Sequence, residues 1–225
     1  IEALFTIDEE TGMTGAKNLD NSVLDGEILL NLDTEEDDEI GIGCAGGIDI
    51  TAKKSYKEES VTGEVEALSI KIQGLNGGHS GMDIIKGLGN ANKLMNRILY
   101  TTFKEADIKI AEVNGGGLRN AIPRESVATI VVSKENKAAF ENAFESIKTA
   151  IETEFKSLEK NLTITAEITS TPEKVMAKDA QAEVLNAINA AHNGVFRMSP
   201  VTVDLVETSN NVAKVSIANG NVQVS

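Results

Sequence analysis

From about Thr62 onward, alternating apolar and polar residues predict antiparallel strands. Leu68, Ile70 and Ile72 alternate with polar residues, which is typical of a strand with one buried and one solvated face. Similar segments predict strands at 108–113, 127–132 and 162–168. Near the end of the chain, Asn219-Gly220 lies between the apolar segments 212–217 and 222–224, and this dipeptide predicts a tight hairpin.

Apolar residues spaced three and four apart predict amphipathic helices between these strands. Ser133 is a candidate cap of a helix whose apolar stripe comprises Phe140, Phe144, Ile147, Ile151, Phe155 and Leu158. Further helices are predicted over 82–99, where Gly87 and Gly89 weaken the first half, and over 179–191. The pattern therefore predicts an α+β domain in which helices cover one face of an antiparallel sheet.

The start of the chain has a different pattern. Apolar runs at 3–7 and 28–32 each end on an acidic residue, and a short helix is expected between them within 12–19. Strand, helix and strand in this order predict the βαβ unit of a parallel, α/β-type sheet. We therefore predict a first domain over residues 1–55 and a second, α+β domain over residues 56–225.

Composition excludes several classes of protein. The chain has 35 acidic and 21 basic residues and a formal charge of −14, which disfavours nucleic acid as a partner. It has no apolar run of about 18 residues to span a membrane, and no secretory signal. The single cysteine, Cys44, excludes an intramolecular disulfide and fits a reducing cytoplasm. Because small residues surround Cys44, we expect a buried, inert thiol.

The acidic residues that follow the two N-terminal apolar runs are the first candidates for chemistry. Asp8, Glu9 and Glu10 follow the first run and Asp33 ends the second. In a parallel sheet, functional side chains gather beyond the carboxyl ends of the strands. By themselves the three adjacent acids favour an exposed turn, whereas Asp33 at a second strand end favours a metal site. Carboxylate oxygens alone do not select zinc over magnesium.

Two polar loops are further candidates. His79 lies in a glycine-rich loop, where the backbone can approach a ligand closely, although an exposed turn explains the same residues equally well. Arg119 and Asn120 precede a predicted strand and could bind a substrate carboxylate, with an ordinary turn as the alternative. His192, at a helix end, is expected to be structural.

Taken together, these segments resemble one enzyme family. The segments 8–12 (DEETG), 31–33 (NLD), 77–81 (GGHSG) and 120–123 (NAIP) occur in the order found in the dinuclear-zinc metallopeptidases, which include carnosinases, aminoacylases and bacterial glutamate carboxypeptidase. Within this family, the segments 43–49 (GCAGGID), 87–94 (GLGNANKL), 116–125 (GGLRNAIPRE) and 206–211 (VETSNN) resemble the aminoacyl-histidine dipeptidases. The resemblance extends over essentially the whole chain.

The resemblance implies a role for each candidate residue. Glu9 would be the general base that deprotonates a zinc-bound water, while Glu10 and Asp33 would each bind one of two zinc ions. His79 would reach into the partner subunit's active site and stabilise the oxyanion, and Asn120, with Arg119 beside it, would bind substrate. The implied protein is a cytoplasmic homodimer that hydrolyses Xaa-His dipeptides and dimerises through residues 56–225 as a lid domain.

The family's remaining metal ligands have no counterpart in this sequence. We therefore expect a fragment that lacks both ends of the enzyme, has an incomplete lid domain and is inactive alone. Two alternatives stay open. One is a related zinc exopeptidase or N-acyl amino acid deacylase, and the other is a non-catalytic dimerisation or binding module.

Overall fold

A computed structural model of the chain describes residues 1–9, 12–32, 38, 40 and 43–225. These residues form two compact units, 1–47 and 48–225. The second unit begins before the predicted boundary between residues 55 and 56.

The described part of the first unit contains one short α-helix, α1 (Thr14–Lys17), and a 3-10 turn at Asn21–Val23. The predicted helix is therefore confirmed, but the strands predicted at 3–7 and 28–32 are not formed among the described residues. Their apolar side chains, Phe5 and Leu30 among them, are exposed. No neighbouring strand in the described part of this unit completes a ladder with them, so their apolar character alone does not produce a sheet.

The second unit contains thirteen strands and three α-helices. In chain order they are β1 (Ala52–Ser55), β2 (Glu58–Ser60), β3 (Val65–Gln73), β4 (Gly78–His79), α2 (Ala91–Ala106), β5 (Lys109–Gly116), β6 (Ala121–Ile122), β7 (Ser126–Ser133), α3 (Lys137–Phe155), β8 (Thr163–Ile168), β9 (Lys174–Met176), α4 (Lys178–Ala190), β10 (Gly194–Met198), β11 (Val206–Asn210), β12 (Lys214–Ala218) and β13 (Asn221–Val224).

Seven of these strands form one sheet in the order β1-β13-β12-β5-β7-β3-β8, and every pair in it is antiparallel. The prediction of an antiparallel sheet with helices is confirmed. The hairpin between β12 and β13 is also confirmed: Asn219 and Gly220 have φ values of 49° and 72°, the left-handed conformation that such a turn requires.

The main core lies between the sheet and the helices α2, α3 and α4. Ile70 and Ile72 of β3 are fully buried there, as their alternation with polar residues predicted. Phe140, Phe144 and Ile151 of α3 belong to the same core. Each fully buried side chain of this size stabilises the fold by about 1.5–3 kcal/mol. Leu158, the last residue of the predicted stripe, lies beyond the helix end and is exposed.

The other face of the sheet carries a smaller apolar cluster. Ala67 of β3, Val131 of β7 and Val175 of β9 are buried together. β9 pairs with β2 as a separate antiparallel ribbon. The ribbon thus covers part of the sheet face opposite the helices.

Helix α2 begins later than the sequence pattern predicted. A 3-10 turn at Ile84–Lys86 ends at Gly87, whose φ of 65° is left-handed. Asn90 then caps α2, because its side chain accepts hydrogen bonds from the backbone N–H groups of Asn92 and Lys93. The prediction placed the start at residue 82 because it did not recognise Asn90 as the cap.

Lys93 links α2 to the end of α4. Its ammonium donates to the backbone carbonyls of Ile188 (2.7 Å), Asn189 (3.1 Å) and Ala191 (2.6 Å). The last carbonyls of a helix have no partner within the helix, and a cation there also interacts favourably with the helix dipole. Burial lowers the pKa of the Lys93 ammonium below its usual value.

Within the described part of the chain, no helix is both long enough and apolar enough to cross a membrane.

Candidate functional site around His79

The structure brings the two predicted polar loops together. β4 pairs with β6 in antiparallel register, with His79 opposite Ala121. The next backbone N–H, that of Ser80, donates to the carbonyl of Asn120 at 2.8 Å. His79 and Asn120, which are distant in the sequence, therefore lie on adjacent extended segments. We call the segment 76–89 the His79 loop.

Asp83 braces the turn that contains His79. Its carboxylate accepts the backbone N–H of His79 at 2.7 Å, and its own N–H donates to the His79 carbonyl at 2.9 Å. Lys86 donates to the other carboxylate oxygen at 2.5 Å. The hydrogen bond from Lys86, followed by the one from the His79 backbone, lowers the pKa of Asp83 below its usual value. Asp83 is therefore ionised at neutral pH and holds the turn closed.

The His79 ring is oriented by backbone donors. Its Nδ1 accepts the N–H groups of Gly81 (3.1 Å) and Met82 (3.2 Å). A ring nitrogen that accepts a hydrogen bond does not carry the proton, so the neutral ring carries it on Nε2. The side chain is exposed, and Nε2 has no partner among the residues that the structure describes. The loop thus presents an N–H donor to solvent in a defined direction.

Two glycines allow the close packing of this loop. A Cβ at Gly77 would lie 2.3 Å from Cγ of Arg124, and a Cβ at Gly78 would lie 2.6 Å from the Oδ2 of Asp83. Their φ values, 68° and 146°, are also in the region that side chains disfavour. The glycine-rich character of the loop therefore follows from its packing around Asp83 and Arg124.

Arg119 and Asn120 are both exposed beside the His79 loop. The Arg119 guanidinium forms an ion pair with Asp49, with Nη1 2.7 Å from Oδ2. Because both partners are more than half exposed, solvent screens the pair and the guanidinium can exchange Asp49 for another carboxylate at little cost. The Asn120 side chain makes no hydrogen bond within the described residues, which leaves its amide accessible to a ligand.

Three asparagines, which the sequence analysis did not identify, connect the start of α2 to the strand that pairs with the His79 loop. We call Asn90, Asn193 and Asn211 the asparagine cluster. The Asn90 amide nitrogen donates to Asn193 Oδ1 (2.8 Å), Asn211 Oδ1 (3.1 Å) and the Val212 carbonyl (3.2 Å). The Asn211 amide nitrogen donates to the carbonyl of Ala121 at 2.8 Å, and Ala121 lies opposite His79 in the strand pair. Asn90 immediately before α2 was the one available signal, as a helix cap.

The predicted metal ligands, Glu10 and Asp33, lie outside the described residues, and the predicted base Glu9 is an exposed turn residue of the first unit. Their carboxylates are suitable zinc ligands by chemistry. Among the described residues, however, no group of three or more His, Cys, Asp or Glu side chains is placed to hold a metal ion. The described residues therefore do not by themselves form a metal centre.

The expectation that Cys44 is buried is wrong. The thiol is exposed rather than buried. The small residues around it supply too little apolar surface to cover it.

The chain is similar to a known protein domain and to two known enzymes. The family model of the peptidase dimerisation domain matches residues 70–159. The cytosol non-specific dipeptidase of Escherichia coli (strain K12) is 39% identical over 224 residues, which are 100% of this chain and 46% of that protein. The crystal structure of aminoacylhistidine dipeptidase from Vibrio alginolyticus superposes with a TM-score of 0.86 at 40% identity, covering 97% of this chain and 45% of that one.

The chain thus spans slightly less than half the length of the two dipeptidases that it matches. The matched dimerisation domain contains the His79 loop, α2, β5, β7 and α3. Residues 70–159 therefore match a peptidase dimerisation domain, and the chain is similar over nearly its whole length to part of two dipeptidases.

Proposed function

We propose that this chain is part of a metal-dependent dipeptidase, in which it supplies an oxyanion donor and substrate-binding groups. The observation that carries the proposal is the outward-facing Nε2–H of His79, held by backbone hydrogen bonds next to Asn120. A donor fixed before the reaction stabilises developing negative charge without having to reorganise. Similarity to dipeptidases along the whole chain supports the assignment of the reaction class.

The roles of the acidic residues follow from the family resemblance. Glu9 would take a proton from the attacking water and pass it to the leaving amine. Glu10 and Asp33 would each bind one of two zinc ions, with the remaining ligands supplied by parts of the enzyme beyond this chain. Bound zinc would lower the pKa of the attacking water and polarise the scissile carbonyl.

Substrate binding is assigned to the loop beside His79. Arg119 is suited to a carboxylate, since a guanidinium donates two parallel hydrogen bonds to one, and Asn120 can donate to or accept from a peptide group. A dipeptide has a free carboxylate one residue from its scissile bond, so the two side chains fit this substrate class. We propose Xaa-His dipeptides as substrates, in line with the name of the Vibrio alginolyticus protein.

The proposed assembly is a homodimer formed through residues 56–225 as a lid domain. The match to a dimerisation domain at 70–159 supports it. The proposed location is the cytoplasm, supported by the name of the Escherichia coli relative as a cytosol dipeptidase.

The test separates the base from the ligands in the complete enzyme. Glu9→Gln should retain bound metal and lower kcat by about 100-fold or more, because the carboxylate acts on water rather than on metal. Glu10→Ala and Asp33→Ala should instead reduce the metal content measured by elemental analysis. Metal loss in Glu9→Gln with retention in Glu10→Ala would contradict this assignment. Turnover of N-acyl amino acids but of no dipeptide by the wild type would favour a deacylase.

A further inference from the structure

Glu159 is a buried acidic residue that the proposed function does not use. It lies in the turn after α3, and only 3% of its surface is exposed. A carboxylate at such a position is costly unless its oxygens accept hydrogen bonds. Its partners should therefore show what the residue does.

Both carboxylate oxygens accept backbone N–H groups of the His79 loop. Oε2 accepts from Asn76 at 2.7 Å and Oε1 accepts from Gly89 at 2.8 Å. Asn76 and Gly89 are the two ends of the loop, with His79 between them. One side chain thus fixes both ends of the segment that orients the His79 ring.

Neighbouring contacts hold the Glu159 turn against the same segment. The side-chain amide of Asn76 donates to the Leu158 carbonyl at 2.7 Å. A Cβ at Gly74 would lie 1.9 Å from the carbonyl oxygen of Asn161, so the two backbones touch there. At the other end, a Cβ at Gly89 would lie 2.8 Å from Leu75 and 3.5 Å from Glu159. These close approaches leave little room for the loop ends to shift while Glu159 is in place.

We propose that Glu159 is a positioning residue, which sets the direction of the His79 Nε2–H by clamping both ends of the loop. The inference rests on the proposed oxyanion role of His79. Misplacing a catalytic group by about 1 Å can lower the rate by about 100-fold, so loosening the loop ends should affect turnover even though Glu159 does not touch substrate.

Glu159→Gln is the main variant, because it keeps the shape of the side chain but has only one acceptor oxygen. Its amide group would face one of the two N–H donors, and that end of the loop would be released. In the complete, metal-loaded enzyme, we expect kcat to fall by about tenfold with KM within about twofold and with metal content unchanged. Hydrogen exchange should quicken at Asn76 or Gly89 and stay slow at Ile70 in the sheet.

Glu154→Gln is the matched control on α3, since Glu154 forms a surface ion pair with Arg97. It should leave kcat and loop exchange unchanged. If Glu159→Gln fails to fold, Glu159→Asp replaces it, because a carboxylate shorter by one methylene cannot reach both donors and should give the same selective loss of kcat.

The outcomes separate the two proposals. A large loss of kcat in His79→Ala with wild-type kcat in the Glu159 variants overturns the positioning role alone. Wild-type kcat in His79→Ala and in the Glu159 variants overturns the role of His79 and this inference with it. Loss of kcat in a Glu159 variant without faster exchange at Asn76 or Gly89 also contradicts the clamp.

Discussion

The asparagine cluster gives a stability prediction that can be worked out atom by atom. Asn90 has two separate functions: its oxygen caps α2, and its amide nitrogen donates to Asn193, Asn211 and the Val212 carbonyl. Asn90→Ser should retain the cap, because serine and asparagine cap helices about equally well, and should remove only the amide donor. The variant therefore isolates the second function.

The acceptors that lose Asn90 are not equally affected. Asn193 Oδ1 still accepts the Val212 N–H at 2.9 Å, and the Val212 carbonyl still accepts from the Asn92 amide at 3.1 Å. Asn211 Oδ1 has no other donor among the described residues. One orphaned, part-buried acceptor costs about 1–3 kcal/mol, so we expect Asn90→Ser to lower the free energy of unfolding by about 2 kcal/mol.

Two further substitutions at Asn90 should lower the free energy of unfolding by more than Asn90→Ser does. Asn90→Ala also loses the helix cap, which adds about 1 kcal/mol. Asn90→Asp keeps the cap but places a carboxylate against three oxygen acceptors. The site is buried, since Asn90 is only 3% exposed. The second carboxylate oxygen would repel these three oxygens and would have no donor of its own, so Asp should be more destabilising than Ser. Its penalty should shrink at acidic pH, where the carboxyl group is neutral.

Urea unfolding followed by circular dichroism measures these differences as shifts in midpoint at constant slope. Asn142→Ser is the control, since Asn142 is an exposed residue of α3 and should change stability by less than about 0.5 kcal/mol. If Asn90→Ser matches the wild type, or if Asn90→Asp is no worse than Asn90→Ser, the donor function assigned to Asn90 is wrong.

Three other predictions concern the helix end, the assembly and the location of His79. Lys93→Met should lower the free energy of unfolding by about 1–2 kcal/mol, because three carbonyls at the end of α4 lose their cation. The control is Lys156→Met at an exposed position, and equal thermal midpoints for the two variants would refute this prediction. The second unit should self-associate through its dimerisation domain, and sedimentation that finds only monomer at high concentration would count against this. If His79 serves the partner's active site, subunit exchange between inactive His79→Ala and Glu9→Gln dimers should restore about a quarter of wild-type activity, since half the dimers are mixed and each has one intact site. Verified exchange without recovery would place His79 in its own subunit's site.

The second unit could be predicted from sequence to the extent that burial follows a local period. The alternation in β3, the stripe of α3 and the Asn219-Gly220 turn each predict their element from local sequence alone. All three formed as expected, except that Leu158 lies beyond the end of α3. The strands predicted in the first unit did not form, because an apolar run becomes a strand only with a neighbour to pair with, and the run itself does not encode that neighbour.

The candidate site was predictable only in part. His79 and Asn120 were identified, and the structure places their backbones side by side. Their supports, Asn211 and Glu159, act through contacts between residues far apart in the chain, and a polar residue that is buried by a distant segment looks like any surface residue in sequence. The tautomer of His79 likewise depends on the backbone geometry of its loop.

The central claim is that His79 donates to the transition state, and comparing the two histidines of the chain tests it most directly. His79→Ala and His192→Ala would be made in the complete enzyme and assayed with a dipeptide after metal content and dimerisation are verified. His192 is exposed, and its ring contacts Phe196 edge-on, so its loss should leave turnover unchanged. His79→Ala should lower kcat by about 100-fold or more with metal content unchanged, because an oxyanion donor acts mainly in the transition state. Equal kcat in the two variants would contradict the account.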